Sequence, residues 1–127
     1  MPYIDWEYYS SLYDNIPQED FDKRYRQAEV KLNTVTHMRA MAFEHAYDEE
    51  SATDWQKQVH EQIKSTMCEL MNAIHVHTIS EMGTGITSVS NDGYSESYKI
   101  TTAAEKEAQL LAIVREGLSG TGLAGAL

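Results

Sequence analysis

Basic residues are scarce in this chain. Ten Lys and Arg stand against twenty Asp and Glu, a formal charge of −10 at pH 7. A sequence-independent nucleic-acid binder needs the opposite sign, and an anionic membrane surface would repel such a chain too. Cysteine is scarcer still. Cys68 is alone, so no intrachain disulfide can form, which suits a reducing cytoplasm. Its apolar helical surroundings mark a buried thiol rather than an activated nucleophile. Long hydrophobic runs are missing, and no window approaches the ~18 uncharged apolar residues of a membrane span. Residues 1–10 show no basic region followed by an apolar run, so no secretory signal is expected. Only two prolines and seven glycines occur, against 42% hydrophobic residues, which fits a folded helical chain better than a disordered one. At 127 residues, one domain with a modest core is expected.

What is present is helical periodicity. Aromatics crowd residues 3–13, where Asp5 can cap a short helix from Trp6, with Tyr9, Leu12 and Tyr13 at helical spacing. A helix this short must dock to persist. Pro17 suits the first turn of a second helix, over residues 17–38. There Phe21, Tyr25, Ala28, Leu32 and Val35 step by 4, 3, 4 and 3, with Gln18, Glu19, Asp20 and Asp22 in the first turn. Lys23, Arg24, Arg26, Glu29 and Lys31 fall off that stripe. Residues 39–50 either continue the helix or form a connector. Ser51 or Thr53 can cap a long helix over residues 54–81, in which Trp55, Val59, Ile63, Met67, Leu70 and Ile74 form the stripe, widened by Cys68 and Met71. About 28 residues make a rod of roughly 42 Å, the spine of so small a domain. Gly83 can terminate it.

Residues 86–98 change character. Two short runs flank Asn91-Asp92-Gly93, which reads as a β-hairpin that leans on the helices or on a partner. Thr102-Ala-Ala-Glu105 has the capping-box pattern and opens a last helix over 103–118. Ala108, Leu111, Val114 or Arg115, and Leu118 share a side there, and Leu110 and Ile113 widen the apolar arc. Residues 119–127 (SGTGLAGAL) are small and uncharged, either a frayed end or a flexible arm that orders on a neighbour through Leu123 and Leu127. The expected fold class is therefore mainly α. It is a small helical bundle over residues 1–118 with one long central helix, a β-hairpin at about 86–98, and a flexible C-terminal arm over 119–127.

Reactive constellations are missing. His75 and His77 point about 200° apart on a helix and cannot clasp one metal. His60-Glu61-Gln-Ile-Lys64 begins like a zinc-protease motif, but Lys64 stands where the second His belongs. His37 and His45 have no paired cysteines to complete a zinc set. Gly83-Thr84-Gly85 lacks the Lys-Ser/Thr of a phosphate loop, and no Gly-x-Ser-x-Gly elbow exists. No catalytic residue, cofactor or metal is expected, and the chain reads as non-enzymatic.

Four segments together resemble the head–tail connector (adaptor, head-completion) family of tailed bacteriophages and prophages. They are the aromatic start Tyr3–Tyr13, the helix start Ile16-Pro-Gln-Glu-Asp-Phe21, the Ser-rich segment Ile86–Tyr98 and the ending Gly120-Thr-Gly-Leu123. Where the family often has an aromatic-Gly-Arg step after its second helix, this chain reads Thr36-His-Met-Arg-Ala40. The resemblance implies a structural virion protein made in the bacterial cytoplasm and placed at the neck. About twelve copies would form a ring beneath the portal protein, next to a tail or stopper protein, with a central channel through which DNA passes without specific binding. It also implies partner contacts through the C-terminal segment, for which Leu118, Leu123 and Leu127 are candidates. Ser88, Asn91, Asp92, Tyr94 and Tyr98 of the hairpin are candidates for a neighbouring subunit or the next tail component. The competing expectation is a small acidic phage regulator, or a DNA-mimic inhibitor that fills the cleft of a host protein.

Overall fold

The computed structural model describes residues 3–82 and 102–124. Among them run five helices: α1 (Trp6–Leu12), α2 (Gln18–Val35), α3 (Arg39–Ala46), α4 (Asp54–Met82) and α5 (Ala103–Gly117). The architecture is a mainly helical bundle. The expected hairpin at 86–98 lies outside the described residues.

Local chemistry sets the helix starts. The Asp5 carboxylate accepts from the Tyr8 amide at 2.8 Å and opens α1. Thr53 and Gln56 form a reciprocal capping box before α4, with the Gln56 amide donating to Thr53 Oγ1 and the Thr53 amide donating to Gln56 Oε1. Thr102 Oγ1 accepts from the Glu105 amide at 3.1 Å and starts α5. Pro17 takes the N-cap position of α2 itself, one residue ahead of the first turn.

Between α2 and α3 the chain does not continue as one helix. His37 and Met38 adopt left-handed backbone, with φ of 54° and 66°. The Met38 amide donates to the Asn33 carbonyl at 2.8 Å, closing the end of α2. Non-glycine residues rarely sit in this region, because Cβ crowds the following carbonyl. Thr36 helps to hold the turn. Its buried hydroxyl donates to the Leu32 carbonyl and accepts from the Ala40 amide.

α4 is the spine, and both α2 and α5 pack along it. Phe21, Tyr25, Ala28 and Leu32 of α2 are buried against Ile63, Met67, Leu70 and Met71 of α4 in one core cluster. α1 adds Tyr9, whose ring lies 5.8 Å from Phe21. Buried apolar area stabilises at roughly 25 cal/mol per Å², so these large side chains carry most of the folding free energy. α5 runs back along α4, so that its Gly117 lies near Gln62 and its Gln109 near His77.

Three expectations need correction. Trp55 does not join the α4 stripe. It lies in the first turn, beyond the last core layer at Val59, and is 52% exposed. On α5 the buried stripe is Leu110, Val114 and Leu118, a step of four throughout, which turns Ala108 to solvent. Residues 119–124 fold back on the bundle instead of extending. Gly120 and Gly122 take left-handed φ, Gln62 Nε2 donates to the Ser119 carbonyl at 3.1 Å, and Leu123 and Ala124 pack against the core.

Candidate functional site

The outward side of α4 carries the most distinctive geometry. Ser65, Glu69, Asn72 and Val76 project about 200° around the helix from Ile63, Met67, Leu70 and Ile74, counting ~100° per residue. Beside them, α5 leaves a cleft of about 330 Å³, lined by Ser65, Thr66, Glu69, Ile113, Glu116 and Gly117. A second hollow of about 240 Å³ shares Glu69 and Ile113 and extends to Ala73 and Val76. Together they make one groove, acidic at the Glu69–Glu116 end, with Val76, Ala73 and Ile113 beside Asn72, His77 and Gln109 at the other.

Gly117 explains how the helices approach so closely. A Cβ placed there would lie 2.1 Å from Thr66 Oγ1. Thr66 itself is 1% exposed, and its hydroxyl is a buried side-chain polar atom with no hydrogen-bond partner among the described residues. An orphaned buried hydroxyl costs about 1–3 kcal/mol, so it marks a place where a donor or acceptor is missing. Glu69 and Glu116 are exposed and form no ion pair among the described residues.

Across the bundle, the outer face of α2 presents Lys23, Arg26 and Val30. All three are exposed, Val30 at 65%. No carboxylate pairs with either cation among the described residues. A shallow apolar surface of Met38, Met41, Ala42 and Ala46, with His45 at its edge, lies on α3.

Titratable groups cluster in two further places. His60 Nδ1 and Glu44 Oε2 lie 2.8 Å apart and tie α3 to α4, while the Tyr47 ring stacks on His60 at 4.1 Å. The Tyr47 hydroxyl donates to Glu49, which pushes the phenol up to about 12. Deeper in, the Arg24 Nε donates to His75 Nδ1 at 3.1 Å, and Arg24 Nη1 donates to Gln27. Burial, then the adjacent guanidinium, lowers the imidazole pKa, so His75 stays the neutral acceptor. His77 faces Gln109 instead, so the two histidines diverge as their spacing requires. Cys68 is fully buried, and burial pushes its thiol up to about 12. Among the described residues no group of three or more His, Cys, Asp or Glu could hold a metal ion, and no helix is long and apolar enough to cross a membrane.

The residues singled out from the sequence fall in different settings. Leu118, expected at a partner contact, is 2% exposed and belongs to the core of its own chain. Leu123 is half-buried against that core. Leu127 lies outside the described residues, as do Ser88, Asn91, Asp92, Tyr94 and Tyr98. The Thr66–Gly117 contact was not anticipated. Its one sequence signal is a glycine inside the last turn of α5 rather than just past it, facing a small residue on α4.

Comparison with known proteins adds no family or relative: no family model, curated protein or solved structure matches this chain.

Proposed function

We propose that the chain is a structural subunit of the neck of a tailed bacteriophage or prophage, a head–tail connector that assembles as a ring between portal and tail. The observation that carries the reading is the ordered co-occurrence of four family-like segments in a chain that forms a mainly helical bundle. Two features of the geometry support it. Met38, which stands at the glycine of the family's aromatic-Gly-Arg step, holds the left-handed backbone that glycine adopts most easily. Large apolar side chains also remain exposed at Leu12, Val30, Trp55, Val76 and Ile79, so the outer faces of several helices are available to neighbours. On this reading the −10 charge lines a channel that repels phosphate and lets DNA slide. On the same reading Ser88, Asn91, Asp92, Tyr94 and Tyr98, in the Ser-rich segment that resembles the family, meet a neighbour or the next tail component. Residues 125–127, with Leu127, reach the portal.

Antibody against this chain, applied to purified particles and viewed by electron microscopy, should label the neck alone. Labelling elsewhere, or none, ends the proposal. Deleting residues 125–127 leaves the Gln62 and Leu123 contacts intact and should abolish attachment to the portal without lowering the melting temperature. The charge also favours a second reading, a DNA-mimic inhibitor. Such a protein would show strongly salt-dependent binding to a nuclease or transcription protein and no fixed place on the particle.

A further inference from the structure

Two surfaces on opposite sides of the bundle match in sign, in hydrophobicity and in spacing. The α4–α5 groove carries Glu69 and, seven residues on, Val76. The outer face of α2 carries Lys23 and, seven residues on, Val30. Seven residues of helix span about 10 Å in both cases. We infer that the groove receives the outer face of α2 from a second copy of this chain, with Lys23 and Arg26 against Glu69 and Glu116 and Val30 against Val76 and Ile113.

Two observations converge on that occupant. Lys23 and Arg26, with no ion pair among the described residues, lie on one face of α2, flanked by Asp22, and Glu69 and Glu116, also without an ion pair among the described residues, flank one end of the groove, so opposite signs can meet there. Val30 and Val76 are each more than half exposed and would be covered by the same contact. Glu19 also lies on this face of α2, one turn before Lys23. In the parallel register it falls beyond Glu69, beside neutral Ser65 and Gln62.

Two chains of charge −10 repel at long range, so a stable contact between copies must bring opposite signs together locally. Because the two surfaces are different patches, the contact is head-to-tail. It repeats from copy to copy and closes into a ring where the rotation permits. The inference deepens the assembly reading above and rests on it only for the presence of other copies.

The test is a charge exchange in the full chain, read by sedimentation velocity over a concentration series. One variant carries K23E and R26E, the other E69K and E116K. Each alone should lose self-association by on the order of tenfold or more, because like charges then face each other. Mixed in equal amounts, the two should associate again, since each reversed surface meets its complement. K57E, which changes net charge on the exposed start of α4, should behave as the parent chain. All substituted positions are exposed, and melting curves verify that every variant is folded. If both double variants associate like the parent, or if the mixture fails where the parent succeeds, this pairing is overturned while the connector reading is untouched. A parent chain that stays monomeric throughout overturns it as a contact between copies, and particle labelling then decides the connector reading separately.

Discussion

The two sides of α4 are built differently. Toward α1 and α2, large side chains interlock and their polar tips are satisfied. Tyr9 packs near Trp6, Tyr13 and Phe21, donates its hydroxyl to Asn72 and accepts from the Ile16 amide. Tyr25 accepts from the Tyr3 amide. Toward α5, contact rests on a stripe of three buried residues edged by Ile113, on hydrogen bonds from Gln62 and His77, and on one glycine against a hydroxyl with no partner among the described residues. The first side is redundant, so each residue is held by several others. The second has fewer aromatic side chains and one unusually close approach, at Thr66 and Gly117. Stability is concentrated on one side, and vacant surface on the other.

Removing bulk from the interlocked side should have the largest effect. Phe21→Ala empties a site between Trp6, Tyr9 and Tyr25, and should lower unfolding free energy by about 3–5 kcal/mol in urea titration. A loss under about 1 kcal/mol would mean the aromatic cluster collapses around the gap. On the α5 side, Gly117→Ala should destabilise by about 1–3 kcal/mol through collision with Thr66. Combining it with Thr66→Ala should recover much of that loss, a coupling that a double-mutant cycle reads directly. Additive losses would place the collision elsewhere.

Acid should act on the interlocked side through His75. Its pKa in the fold lies below the unfolded value, so the unfolded chain takes up the proton first. The associated stability is fully present above about pH 6.5 and declines as pH falls from there toward the folded pKa. The melting temperature should drop over that window, and His75→Gln should flatten the drop. Smallest in size, and opposite in sign, is Thr66→Val. Replacing the orphan hydroxyl with a methyl should raise the stability of the isolated chain by up to about 1 kcal/mol. A fall instead would show that the hydroxyl finds a partner in solution.

Much of the interlocked side was legible in the sequence, because it follows helical periodicity. Phe21, Tyr25, Ala28 and Leu32 are buried at the expected steps, and so are Val59, Ile63, Met67, Leu70 and Ile74 with Cys68 and Met71. The caps at Asp5 and Thr102 were readable too, since their chemistry is local, and Thr53 was one of two candidates with Ser51. The α5 side was not. Which of its apolar residues faces α4 depends on how the two helices cross, and periodicity permitted both Leu111 and Leu110. The break at His37–Met38 escaped because neither residue is a glycine or proline, and only the closure onto Asn33 reveals it. Leu118 falls on the apolar side of α5 by periodicity and is a partner-contact candidate by resemblance, and its burial agrees with the periodicity. Gly120 and Gly122 turn the chain back over it.

Cys68 offers a clock. Its thiol is enclosed on all sides and poorly ionised, so an alkylating reagent should meet it only when α4 parts from its neighbours. The labelling rate of this single sulfur therefore counts openings of the spine. If copies assemble as proposed, slower labelling in the assembly than in the lone chain would reveal, through one atom, how much a neighbour holds the helix shut.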